Sequence, residues 1–205
     1  MIATGARTRE QVLDAQRVAD IVDGLGVSPD FPLLHWAVAA PVLEPGTSLR
    51  LRLVHRVRPG DVLAVSETPA TERAVAQQEI RVGGVLAVRT TTHALTVAPG
   101  AVPHDASPLD PAAAHRIERS LADAEDPAQV AARVATALGL SRVVTRSAPP
   151  VLGVYVDVHG RIDGVAGLRC ATSTSAEGSA QVHIATADGE PVLGARVWFG
   201  CGPRW

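Results

Sequence analysis

The stretch Leu49-Arg50-Leu51-Arg52-Leu53-Val54-His55-Arg56-Val57-Arg58-Pro59-Gly60-Asp61-Val62-Leu63 carries the fold of this chain. From Leu49 to Val57 the odd positions are apolar apart from His55, and the even ones are mostly arginine. A period of two of this kind predicts a half-buried strand with a charged outer face. Pro59-Gly60-Asp61 turns the chain, and Val62 to Glu67 returns it as a second strand. A third strand over 74–82 meets a fourth over 85–97 across Gly83-Gly84, a two-residue hairpin signal.

Upstream of this meander, Val12, Ala15, Val18, Ala19 and Val22 recur at helical spacing and predict a helix over 8–23, stopped by Gly24 and Gly26. The apolar segment Phe31 to Val42 fits a short helix between Pro32 and Pro41. Downstream, Pro99, Pro103, Pro108 and Pro111 mark a crossing linker, in which Asp110-Pro111 can open a short helix. Asp126-Pro127 repeats that device before Val130, Ala131, Val134 and Leu138, with Gly139 expected to end the helix. A second meander follows over 151–158, 165–175, 180–187 and 192–199, with a strong Asp188-Gly189 turn. The organisation expected is therefore an N-terminal half over 1–98, a linker over 99–125 and a C-terminal half over 126–205, as two halves or one compact domain. The class is α+β: two antiparallel meanders, each led by a helix, with Leu25-Gly26 matched to Leu138-Gly139 and helices 8–23 and 127–138 in equivalent places. Convergence of two similar meanders is the alternative.

Composition narrows the chemistry. The 205 residues are 46% hydrophobic and 20% charged, with a net charge of −2, which argues against a nucleic-acid partner. No apolar run is long enough to span a bilayer and none follows Arg7 and Arg9, so no membrane contact is expected and the cytoplasm is the expected location. Cys170 and Cys201 lack metal-ligand spacing, and no phosphate loop, Gly-x-Gly-x-x-Gly or Gly-x-Ser-x-Gly occurs, so neither metal nor cofactor is expected.

The segment Arg56-Val57-Arg58-Pro59-Gly60-Asp61-Val62-Leu63 resembles the basic, Pro-Gly-Asp, hydrophobic strand turn of hot-dog acyl-thioester enzymes, and Gly84-Val85-Leu86-Ala87-Val88-Arg89-Thr90 is similar to their final hairpin. The resemblance implies a long helix laid across an antiparallel sheet, with tandem copies giving a double hot dog. Asp30-Phe31-Pro32-Leu33-Leu34-His35 resembles the Asp-x4-His element of MaoC-like hydratases. That likeness implies Asp30 and His35 as an acid–base pair that adds water across an enoyl thioester or removes it. A neutral histidine can take a proton, and a nearby carboxylate can orient it or supply one.

Other candidates surround this pair. His55 falls on the apolar face by alternation, either as a core histidine or as a pocket acid or base, and Glu67 can approach it if the two strands pair. Arg50 and Arg52 suit a phosphate or carboxylate, as in a coenzyme A or carrier-protein contact, or form a solvated face. His93 shares parity with Val85 and Ala87. The function expected is a small enzyme, a lyase or a thioesterase, acting on an acyl-thioester or polyketide-type substrate by hydration, dehydration or hydrolysis. Its partner would be a small-molecule or carrier-bound acyl group, with a homodimer as a further expectation. A non-catalytic ligand-binding or assembly protein, and a cyclase or lyase with a β-sheet pocket, stay open as alternatives.

Overall fold

Alternation places the arginine-lined strand. In the computed structural model Leu49 and Leu51 are buried to within 2% of full burial while Arg50 and Arg52 are exposed. The structure describes residues 7–28, 31–71, 75–100, 103, 105–121, 126–145, 149–175 and 178–200. Asp30, Glu177 and Cys201 lie outside them.

The elements run β1 (Arg7–Val12), α1 (Ala15–Leu25), α2 (Trp36–Ala39), β2 (Thr47–Leu53), β3 (Val62–Thr68), β4 (Ala76–Val82), β5 (Val85–Ala94), β6 (Ser107–Pro108), α3 (Pro111–Ser120), α4 (Pro127–Ser141), β7 (Val151–Val158), β8 (Arg169–Ser175), β9 (Ser179–Ala185) and β10 (Pro191–Phe199). The ten strands among the described residues form one antiparallel sheet in the order β1-β3-β4-β5-β2-β7-β10-β9-β8-β6. Read inward from its two edges, this order is the same in chain terms: β1-β3-β4-β5-β2 on one side and β6-β8-β9-β10-β7 on the other. The halves meet at β2 and β7, which pair from Thr47↔Val158 to Arg52↔Gly153.

Local chemistry explains the turns and caps. Asp61 accepts a hydrogen bond from the Arg58 amide at 2.7 Å and Gly60 takes φ +87°, which fixes the Pro-Gly-Asp corner. Gly83 and Gly84 both have positive φ (55° and 82°), the primed hairpin geometry that matches strand twist. Asp14, Asp110 and Asp126 each cap a helix by accepting an amide of its first turn, and Pro111 and Pro127 open their helices.

Four expectations need correction. Residues 7–12 are a strand along β3 and not the start of a helix, because Asp14 supplies the cap and no helical apolar spacing precedes Val12. Gly139 does not end α4, which continues to Ser141. Its missing side chain lets the helix approach the sheet: a Cβ there would lie 2.8 Å from Val182 Cγ1 and 3.1 Å from Ile184 Cδ1. By chain order α1 corresponds to α3, and the two pack together where a Cβ on Gly24 would come 2.9 Å from Ile117 Cγ1. The counterpart of the 15-residue α4 is therefore α2, only four residues long. Finally, β5 bulges at Ala87, since Ile80 faces Val88 while Arg81 faces Leu86. The bulge resets parity, so Val88 and Thr90 point inward and Arg89 and His93 share the outer face with Arg52 and Ser48.

Candidate functional site

The helices and the core lie against one face of the sheet, the inner face, and α4 packs on β8, β9 and β10. Under the N-terminal half the matching place holds only α2 and the segment around it. That half also carries polar groups where a core would be apolar. The register Glu67↔Gln78↔Thr90↔Leu51 runs across β3, β4, β5 and β2 on the inner face. Gln78 and Thr90 are 5% and 1% exposed. The Gln78 side-chain amide donates to Glu67 Oε1 at 3.1 Å, and the Arg9 guanidinium reaches the same oxygen at 3.3 Å. Gln78 Oε1 and Thr90 Oγ1 are buried without a protein partner among the described residues.

α4 carries Arg133, on the helical side of the core. Its guanidinium donates to the Ala40 carbonyl at 3.4 Å, and its Nε is buried without a partner among the described residues. Burial first, and then the charge of Arg9, pull its pKa down from the usual value. Trp36, with an unpartnered buried indole N–H, and Arg133 line one small cavity of about 20 Å³ together with Ile21, Phe31, Leu33 and Ile117. Gln78, Glu67 and Arg9 are therefore joined on the inner face, with Thr90 beside Gln78 in register, while Arg133 and Trp36 line the small cavity among the helices. Each unpartnered buried group costs about 1–3 kcal/mol, so a concentration of them marks a place that a polar ligand or water can satisfy.

His35 lies beside Trp36, with their ring centroids 6.5 Å apart. It is 1% exposed. One ring nitrogen, Nδ1, donates to the Pro32 carbonyl, and Nε2 has no protein partner among the described residues. Burial drives the pKa from 6.5 to about 3, against the opposing effect of the Pro32 carbonyl. The ring is therefore neutral at pH 7, with its lone pair on Nε2.

The six residues marked out by the sequence do not form one cluster. Asp30 lies outside the described residues, and His35 and Glu67 both belong to the inner side. Arg50 and Arg52 are on the outer face of β2, with the sheet between them and His35. His55 is exposed, because β2 ends at Leu53 and the Val54 and His55 amides both bond the bulged Ala87 carbonyl. Glu67 does not approach His55 through strand pairing, since β3 borders β1 and β4 while β2 borders β5 and β7. Gln78, Thr90 and Arg133 were not singled out, yet a signal existed. Gln78 shares parity with Ile80, Thr90 with Val88, and Arg133 interrupts an Ala- and Val-rich helix. Among the described residues no group of three His, Cys, Asp or Glu could hold a metal ion, and no helix is long and apolar enough to cross a membrane. Burial pushes the Cys170 thiol up against the opposing charge of Arg142, and the side chain is shut off from solvent.

No family model matches the chain, and no curated protein matches it in sequence. Solved structures do match in three dimensions. HtdX of Mycobacterium tuberculosis aligns over 96% of this chain and 100% of its own at 15% identity, with a TM-score of 0.61. This chain has the hot-dog fold. A MaoC-like dehydratase from Phytophthora capsici shares the hot-dog architecture over 97% of this chain and 96% of its own, at 10% identity and a TM-score of 0.62. The dehydratase domain of PpsC from Mycobacterium tuberculosis, solved with C12:1-CoA, covers 95% of this chain and 94% of its own at 21% identity and a TM-score of 0.52. At these identities the likeness establishes the hot-dog fold and leaves the chemistry to the residues.

Proposed function

We propose that this hot-dog chain is an enzyme acting on an acyl-thioester or polyketide-type substrate by hydration or dehydration, with His35 Nε2 as the atom that moves the proton. The observation that carries the reading is the state of His35: buried, neutral, fixed through Nδ1 by the Pro32 carbonyl, and unpartnered at Nε2. A histidine held in this way has one nitrogen committed to orientation and the other left for chemistry. In the hydration direction Nε2 takes a proton from water as the oxygen bonds to the β-carbon of the enoyl group, and the imidazolium so formed gives that proton to the α-carbon, which leaves the ring neutral again. Dehydration runs the same transfers backwards. Burial makes the ring a weak base, and in this proposal Asp30, five positions earlier, raises its basicity by stabilising the imidazolium. Gln78 and Thr90 would bind the polar end of the acyl group. Replacing His35 by Gln should cut turnover of an enoyl or 3-hydroxyacyl thioester about a hundredfold or more per folded molecule, the usual scale for a lost general base. Asp30→Asn should lower turnover in parallel, and full activity in a folded His35→Gln protein overturns the reading.

A second reading rests on the neutrality of Gln78 and Thr90, which bind polar groups without moving protons. As a ligand-binding protein the chain would lose acyl-ligand affinity in Gln78→Leu and Thr90→Val and would turn over no thioester with His35 intact.

A further inference from the structure

The outer face of the sheet differs in chemistry from the inner one. Across β5, β2, β7 and β10 its outward positions carry Arg89, Arg52, Arg50 and Arg196, and the carboxylate among them is Asp157. Asp157 already accepts the Ser48 hydroxyl at 2.6 Å. Arg89 is held by Glu79 of β4 at 2.7 Å, and Arg81 reaches the same carboxylate at 3.1 Å. Arg50, Arg52 and Arg196 have no carboxylate partner among the described residues. This concentration of cations sits on a chain whose net charge is −2, so charge is segregated to one face.

Two of these arginines are held in place by aromatic rings at the centre of the face. Tyr155 and Trp198, on neighbouring strands, meet with ring centroids 4.2 Å apart and a 59° tilt. The Arg50 guanidinium lies 5.4 Å from the Tyr155 centroid, and that of Arg196 lies 5.7 Å from the Trp198 centroid. Both distances are within cation–π range. Stacking on a ring fixes the plane of a guanidinium and leaves its N–H edge free, which lowers the entropy cost of a bidentate bond to a carboxylate. Arginine, tyrosine and tryptophan are also the residues that dominate binding energy at protein interfaces.

From this geometry we infer that the outer face across β2, β7 and β10 docks an acidic segment of a partner protein, whose carboxylates pair with Arg50, Arg52 and Arg196 around the Tyr155–Trp198 pair. A second copy of this chain fits less well, because the face would meet its own cations. Single-stranded nucleic acid fits less well too, because the two rings pack on each other and each carries a guanidinium group, so they offer no row of separate platforms for successive bases. The inference is independent of the chemistry proposed for His35, which lies on the other side of the sheet.

The test is fluorescence anisotropy of a fluorescein-labelled oligoglutamate peptide titrated with the full chain at low ionic strength. The triple variant Arg50→Glu, Arg52→Glu and Arg196→Glu should bind the peptide roughly tenfold or more weakly. A control with the same kind of charge reversal at the exposed Arg116 and Arg119 of α3 should change affinity less than about twofold, since unfocused surface charge is screened. Milder substitution of the rings, Tyr155→Leu with Trp198→Leu, should also weaken binding, and circular dichroism confirms that each variant folds. Equal losses in the triple variant and the control overturn the inference. So does absent peptide binding, tighter binding of a labelled oligouridylate than of the peptide, or self-association of the wild type that the triple variant abolishes.

Discussion

At the scale of single residues, His35 shows how burial and hydrogen bonding set a protonation state. Its pKa falls from 6.5 to about 3 on folding, so the unfolded chain binds the extra proton between those values. Its contribution to stability is therefore complete above pH 6.5 and is lost as pH falls toward 3, with a slope approaching about 1.4 kcal/mol per pH unit. Urea unfolding at pH 7 and at pH 4.5 should show the wild type losing ~2–3 kcal/mol more than His35→Gln over that interval. Equal losses in the two proteins would place the ring in contact with solvent. The sequence marked His35 as a residue to examine but gave no sign of its depth, because a four-residue helix between prolines does not say which way it faces. Gln78 and Thr90 were hidden for a different reason. A polar side chain in a strand is usually on the wet face, and the bulge at Ala87 turns Val88 and Thr90 together toward the core, against the parity that Val85 and Ala87 suggest.

Among the elements, α4 and α2 hold corresponding places in the chain and differ in length, 15 residues against four. Capping chemistry made both α4 and α3 legible, since Asp-Pro opens each. Gly139 misled because a glycine near the end of a helical pattern reads as a stop, whereas here it sets the distance between helix and sheet. Gly139→Ala tests that distance. Alanine favours a helix over glycine by about 1 kcal/mol, but the new methyl would meet Val182 Cγ1 at 2.8 Å, on a fully buried and β-branched side chain that has little room to turn. Overpacking of this kind costs ~1–3 kcal/mol and should outweigh the propensity gain, lowering the melting temperature. A raised melting temperature would mean that α4 can lift off β9 without loss.

At the scale of the whole molecule, the individual strands were legible from alternation and turns, but their order was not. The joint between β2 and β7 is a pairing between segments about half the chain apart, and nothing local in either strand specifies it. That distance has a consequence for how the chain reaches its fold. The hairpins β4–β5 and β9–β10 close over a few residues, whereas β2 and β7 must find each other across a long loop, and loop-closure entropy delays such contacts. The seam should therefore assemble late, after each half-sheet has its own core. Gly153 reports on it, because a Cβ at this position would lie 2.9 Å from the Leu51 carbonyl oxygen, a backbone atom that cannot swing aside. Gly153→Ala should speed unfolding by about the full loss in stability while leaving the refolding rate nearly unchanged, the pattern of a contact absent from the transition state. Slowed refolding in stopped-flow measurements would instead make the seam the nucleus, with the two half-sheets growing outward from the strands that join them.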